Sequence, residues 1–337
     1  MVITSVAISN VPISVDHYTA MLRCKTEKQG LSQWYCYHCH HDDRLTLSCG
    51  NRHCPQCQHR TTSDWLERQK RKLLPVHYYM VTFTLPYELR SLVRSAPRAL
   101  YQAMFRVASS TLKDFAHRQT KGELGFTIVL HTHSRRRELH PHLHVIVTGG
   151  QYDVKKNQWY KGKKHYLFNE FALAKVWRAR MLEALYQDIP STLPQNVPSK
   201  WVVDCRCVGY GLHALQYLSR YLYRGVLPDK DIKHFTDNEV TFQYLDSKTK
   251  QRKTRTLPIT RFLWLILQHV LPKGLQRVRD YGFLRGNARQ LSIQTQLLFL
   301  SASALYASVS RAGNPKVVRS CPCCHHDMTC VGVSRPS

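Results

Sequence analysis

The stretch His140-Pro141-His142-Leu143-His144-Val145-Ile146-Val147 alternates imidazoles with aliphatic side chains. Successive side chains of an extended strand point to opposite faces. His140, His142, His144 and Ile146 therefore share one side, and Leu143, Val145 and Val147 the other. Such a strand buries its aliphatic face and gathers two or three imidazoles on the opposite one. Just upstream, Phe126 to His133 has the same β-branched and aromatic bias, and the polar tip Ser134-Arg135-Arg136-Arg137-Glu138 predicts an antiparallel hairpin. With 19 histidines in 337 residues, one His-x-His is expected by chance, and a strand histidine is ordinarily a satisfied polar residue. The pattern acquires meaning from what surrounds it.

Working outward, Tyr78 to Leu85 predicts a strand stopped by Pro86, and Trp201 to Cys207 another, leading into Gly209-Tyr210-Gly211. Helical spacing of apolar residues runs from Ala96 to Ala116 (Leu100, Met104, Val107, Ala108, Leu112, Phe115) and again from Phe168 to Leu185. Glu239 to Leu245 and Arg252 to Leu257 predict a further strand pair around a Lys-rich turn, and no internal repeat is evident. His213 to Arg224 predicts a helix ended by Gly225 and Pro228. On it Leu215, Leu218 and Leu222 form the core-facing stripe, while Tyr217, Arg220, Tyr221 and Arg224 share the opposite face. The plain reading is an amphipathic helix with packed tyrosines and solvated arginines.

A chemical reading unites strand and helix. A phenol, with an unperturbed pKa of about 10, needs help to attack phosphorus at neutral pH, and a divalent ion held by imidazoles supplies part of it. Arg220 or Arg224 is suited to grip a non-bridging oxygen of the phosphate. Two tyrosines one turn apart allow a second strand to be cut while the first covalent link persists.

Composition points to a polyanionic partner: 49 Lys and Arg against 22 Asp and Glu give a formal net charge of +27, spread along the chain. The bland alternative is a basic, solvated surface, and the other competitor is an anionic membrane. The longest apolar stretches, 262–271 and 297–309, fall well short of the roughly 20 residues a spanning helix needs. Met1 to Ala20 lacks the features of a secretory leader, so a cytoplasmic protein is expected.

Of the 12 cysteines, six lie between Cys24 and Cys57 and four between Cys321 and Cys330, and clustering of this kind in a cytosolic chain signals metal. Cys36-x-x-Cys39 and Cys54-x-x-Cys57 each put two thiolates on a tight turn, and together they are expected to close one tetrahedral structural zinc site. Cys24, Cys49 and His53 either complete a second site with His38, His40 or His41 or are ordinary buried residues. At the other end Cys321, Cys323, Cys324 and Cys330 with His325 and His326 form a candidate knuckle, with Cys321 and Cys324 its first-choice zinc ligands.

Taken together and in order, several segments resemble the rolling-circle insertion-sequence transposases of the HUH (His-hydrophobe-His), two-tyrosine class, the insertion-sequence ninety-one family. They are Ser48-Cys49-Gly-Asn51-Arg52-His53-Cys54-Pro55-Gln56-Cys57-Gln58, Thr82-Phe83-Thr84-Leu85-Pro86, Leu130-His131-Thr132, His140 to His144, Tyr217-Leu-Ser-Arg220-Tyr221 and His269-Val-Leu-Pro272-Lys273-Gly274. The resemblance covers nearly the whole chain. It implies an α+β catalytic domain with a central antiparallel sheet flanked by helices, an N-terminal zinc-binding module and a small C-terminal Cys/His knuckle. It places the catalytic metal pair on His142 and His144 and the nucleophiles on Tyr217 and Tyr221, Tyr217 first. A third, variable metal ligand is expected, with His131 ranked ahead of His140 and Glu138. The chain departs from the family at His133, where an aromatic residue is more usual.

The expected division is a zinc-binding DNA-recognition module over 15–65, a catalytic domain over 75–275 and a C-terminal helix with a Cys/His-rich tail over 276–337. The resemblance implies nicking and joining of single-stranded DNA through a 5′-phosphotyrosine, with structural Zn²⁺ and catalytic Mg²⁺ or Mn²⁺. Single-stranded DNA and transposon ends are the expected partners, along with host replication proteins; no nucleotide cofactor and no membrane are expected. Tyr210 and Trp201 are candidates to stack on unpaired bases. The alternatives are a plasmid rolling-circle replication initiator or relaxase, and a non-catalytic zinc-finger DNA-binding regulator.

Overall fold

The structure, a computed structural model, describes residues 15–51, 54–134, 138–163, 167–190, 193–194, 196–222, 231–246, 249, 251–267, 271–299 and 319–335. The chain opens with helix α1 (Val15–Arg23), strands β1 (Leu31–Tyr35) and β2 (Asp42–Thr46), and helix α2 (Pro55–Lys70). The central part runs β3 (Tyr78–Thr84), α3 (Leu92–Ser95), α4 (Pro97–Gln119), β4 (Glu123–His133), β5 (Leu139–Asp153), β6 (Gln158–Lys161), α5 (Glu170–Asp188), β7 (Val203–Cys207) and α6 (Leu212–Leu222). It is followed by β8 (Ile232–Phe235), β9 (Glu239–Leu245), β10 (Arg252–Pro258), α7 (Ile259–Leu267), β11 (Val278–Tyr281), α8 (Arg289–Leu297), β12 (Arg319–Ser320) and β13 (Asp327–Ser334).

The protein is α+β, built on an antiparallel sheet in the order β11-β4-β5-β3-β7, with β6 added on β5. Period-two alternation decides what each face touches. Val81, Phe83, Phe126, Ile128, Leu130, Leu143, Val145 and Val147 pack on α4 and α5 to form the main core. Met80, Val129 and Ile146 face the other way and meet Trp65 of α2 and Ala214, Leu215 and Leu218 of α6. Helices thus cover both faces, which explains why β4 is buried almost along its whole length. Asn169 caps α5, its side-chain oxygen accepting from the Ala172 N–H at 2.9 Å.

Two features extend past the expected division of the chain. β11 lies beyond residue 275 yet pairs with β4, so the central sheet does not end there. β13, from the far C-terminus, pairs with β1 to give a second sheet, β12-β13-β1-β2, in which both ends of the chain take part. The strand pair expected after residue 239 is present as β9 and β10, with β8 added. The Gly225 and Pro228 stop signal lies outside the described residues. Among the described residues no helix is long and apolar enough to cross a membrane.

Candidate active site and metal centres

β-Sheet register builds the histidine cluster. His131 on β4 stands opposite His142 on β5, and His144 is flanked by Val129 on β4 and Thr82 on β3. The ring centroids of His131, His142 and His144 are 4.6 to 5.1 Å apart, and one ring nitrogen from each lies within 4.8 Å of the others. His140 sits 5.0 Å from His142, ring to ring, and neither His140, Glu138 nor His133 belongs to this group. The Nδ1 of His142 donates to the carbonyl of His140 at 2.6 Å, which fixes that tautomer and leaves Nε2 with its lone pair. The Nδ1 of His144 is 3.1 Å from the hydroxyl of Thr82.

Burial pushes all these imidazoles toward the neutral form. His144 is held at about 3 by desolvation, then by His142, Arg206 and His140, and His140 at about 3 by desolvation, then His142 and Arg90. His142 is lowered by desolvation, although its bond to the His140 carbonyl works the other way. His131 lies well below its usual range through desolvation, His144, His142 and Arg277. Neutral imidazole is the form that binds a metal, so three nitrogen donors with three guanidiniums nearby (Arg90, Arg206, Arg277) suit a cation that in turn meets an anion.

The helix expected to carry the tyrosines is α6, laid over this face of the sheet. The Tyr217 ring stands 6.4 Å from that of His144, nearly perpendicular, and packs at the edge of the Leu215 and Leu218 cluster. The backbone of Arg220 and Tyr221 belongs to α6, but their side chains, and all of Arg224, lie outside the described residues. Arg90, Arg206 and Arg277 were not singled out by sequence, and Thr82 stood only within a family segment without a site role, because strand register and chain return, with no local spacing rule, bring them here. Trp201 is only 8% exposed, sits in the main core and donates its indole N–H to the Pro198 carbonyl, so it is no stacking platform; Tyr210 is 63% exposed.

The cysteines form two groups of four, in a pairing different from the expected one. Cys54 and Cys57, at the start of α2, join Cys24 and Cys49, with Sγ to Sγ distances of 3.6 Å for Cys24–Cys57 and Cys49–Cys57. Cys36 and Cys39, at the β1–β2 turn, join Cys321 and Cys324, at the β12–β13 turn, with Cys36–Cys324 and Cys39–Cys321 at 3.5 Å. A disulfide would need about 2.05 Å. Tetrahedral zinc with bonds of about 2.3 Å sets its sulfurs roughly 3.8 Å apart, close to what is seen. Backbone N–H groups of Cys49, Asn51 and Cys323 point at sulfur, each at 3.4 Å, as thiolates require. Cys321 is drawn down to about 6: burial opposes the thiolate, but the N–H groups of Cys324 and Cys323 and the Cys39 thiol outweigh it.

The second group corrects the expectation that the chain has no internal repeat. Cys36-Tyr-His-Cys39-His40-His41 and Cys321-Pro-Cys-Cys324-His325-His326 are the same knuckle used twice. In each, the first Cys N–H donates to the last His carbonyl (2.9 and 2.8 Å), and the N–H of the first His of the closing His-His pair donates to the first Cys carbonyl (2.9 and 3.0 Å). That first histidine has positive φ in both, 57° at His40 and 61° at His325. His53 lies outside the described residues, and Cys323 and Cys330 belong to neither group.

Two family models match the chain. Residues 125–291 match a family model described as "Putative transposase", and residues 10–85 match the "Transposase zinc-binding domain". The chain is 28% identical to "Putative transposase y4qJ" of Sinorhizobium fredii, over 91% of this chain and 86% of that protein. It is 29% identical to the "Transposase for insertion sequence element IS801" of Pseudomonas savastanoi pv. phaseolicola, over 81% of this chain and 70% of that one. Among solved structures, the conjugative relaxase TrwC with OriT DNA is similar at a TM-score of 0.29 and 13% identity, covering 67% of this chain and 73% of that one.

Proposed function

The chain belongs to the transposases of the insertion-sequence ninety-one family, and from that premise we propose that it moves DNA by rolling-circle transposition, nicking and rejoining single strands through a 5′-phosphotyrosine. The observation that carries this reading is the meeting of three neutral imidazoles and the Tyr217 ring on one face of the sheet. Tyr217 is the first nucleophile: its phenolic oxygen bonds to phosphorus, the bond to the 3′-oxygen breaks, the phenol proton leaves to solvent and the 3′-oxygen takes one up. Tyr221, one turn on, receives the second strand, and the energy of the first bond is kept in the phosphotyrosine, so no nucleotide cofactor is consumed.

His131, His142 and His144 hold a divalent ion whose chemistry is to polarise the scissile phosphate and neutralise developing charge. Three nitrogen donors suit Mn²⁺ better than Mg²⁺, which prefers oxygen. Arg90, Arg206 and Arg277, with Arg220 and Arg224 from the α6 side, balance the phosphate charge. Two structural zinc ions, one per Cys group, hold the module that recognises transposon ends, and the work is done in the cytoplasm, where host replication proteins meet the same DNA.

The test is incubation of the purified protein with labelled single-stranded terminal DNA and Mn²⁺ or Mg²⁺. A denaturation-resistant DNA–protein adduct is expected, absent in Tyr217→Phe and reduced at least about a hundredfold in His142→Ala. A protein that binds these ends but forms no adduct under any of these conditions is a zinc-finger regulator instead.

A further inference from the structure

A cavity of about 190 Å³ opens at the far end of β3 and β5 from the histidines. His77 and Tyr210 form one wall, their rings stacked at 5.2 Å, and Trp159 and Phe299 another, edge to face at 5.3 Å. Gly149 and Gly162 line it with bare backbone, joined by the Gly162 N–H to Gly149 carbonyl bond of 2.9 Å. A side chain at Gly149 would strike the His77 carbonyl at 2.5 Å, so glycine keeps this approach close. Lys161 and Lys163 stand exposed at the rim, and among the described residues neither has an acidic partner. Nδ1 of His77 and Nε1 of Trp159 are buried with no hydrogen-bond partner among the described residues.

These features describe a receptor for a flat, polar-edged ring that carries an anion. A cavity of roughly 150 Å³ is filled by one benzene, so this one takes a single heterocycle and not a base pair. Aromatic walls bind any base by its face, and the lysines meet its phosphate.

We propose that this cavity captures one unpaired base of the single strand being processed, a second DNA contact separate from the cutting site. The inference rests on the nicking activity proposed above. Six residues of β5 separate Thr148 from His142, about 20 Å at 3.4 Å per residue. At about 3.4 Å per stacked nucleotide, the captured base lies within roughly six nucleotides of the scissile phosphate. The site would hold the strand in register while the ends are exchanged.

The test uses the full chain as Tyr217→Phe, so that binding is read without cutting, and a fluorescein-labelled 12-nucleotide oligothymidylate followed by anisotropy. Tyr210→Ala, at an exposed position, is expected to weaken binding about tenfold, and Tyr210→Phe to leave it unchanged. An abasic strand of the same length and charge should bind Tyr210→Ala and its parent equally. Unchanged affinity in Tyr210→Ala, equal losses on both strands, or a loss in Tyr210→Phe as large as in Tyr210→Ala would each overturn the base pocket while leaving the nicking reading intact. Loss of the Tyr210-dependent contribution to micromolar thymidine monophosphate would reassign the cavity to a free nucleotide. Absence of any binding to the oligothymidylate by the parent would overturn the single-strand reading itself.

Discussion

Thr82 touches His144 across the β3–β5 ladder, its hydroxyl 3.1 Å from the Nδ1 of that imidazole. Removing such a support typically lowers metal affinity or activity about 10- to 100-fold, so Thr82→Val should weaken Mn²⁺ binding by that factor in a calorimetric titration while Thr82→Ser retains it. The depressed imidazoles also set a pH dependence. Unfolded, they titrate near about 6.5, and folded, His140 and His144 titrate at about 3, so the unfolded chain binds more protons in between. Stability is therefore complete above about pH 6.5 and drains away as the pH falls toward about 3. Urea midpoints at pH 7, 6 and 5, without added Mn²⁺, should fall in that order, less steeply in His144→Asn. The shared face of His142 and His144 was legible in the sequence because strand alternation fixes it, whereas helix period put Tyr217 opposite the Leu215 and Leu218 against whose cluster it packs. Thr82 and the three guanidiniums were not legible, because contact between them depends on which strands become neighbours.

Between elements, Asp280 on β11 is a junction. Its carboxylate accepts from Thr127 on β4 at 2.6 Å, from Gln69 on α2 at 3.2 and 3.3 Å, and from Lys72 just beyond α2 at 2.5 Å. The ion pair is mostly buried, at 29% and 17% side-chain exposure. It ties the helix that begins in the zinc module to the sheet that carries the histidines. Asp280→Ala should cost about 2–4 kcal/mol in denaturant unfolding, because it strands a lysine and two polar partners. Two residues on, Gly282 has φ of 63°, and an added Cβ would lie 1.8 Å from the Leu124 carbonyl, so Gly282→Ala should be harsher still in the same assay. The long, strongly patterned elements β3, β4, β5, α4 and α5 could be read from the sequence. β11, four residues long with Arg279 and Asp280 in it, shows no alternation and becomes a strand only because β4 offers it an edge.

Across the whole molecule, the basic charge and the zinc centres make separate demands. Binding to single-stranded ends should weaken about three hundredfold between 50 and 200 mM salt if some six phosphates are contacted, measured by anisotropy at several salt concentrations. Zinc content measured by elemental analysis should be about two per chain in the parent and about one in Cys321→Ser, since Cys321 is shared with Cys36 and Cys39 and with no other group. The number of thiolate clusters was hidden in the sequence because nearness along the chain suggested the wrong partners, although the repeated Cys-x-x-Cys-His-His was there to be matched. The shared knuckle ties Cys36 to Cys324, 288 positions later. During synthesis the early pair must therefore wait, half-liganded, until the chain through Cys324 has left the ribosome. A product cut before Cys321 by a premature stop or a protease has no means of finishing that centre, so completion of this second cluster reports that synthesis passed Cys324.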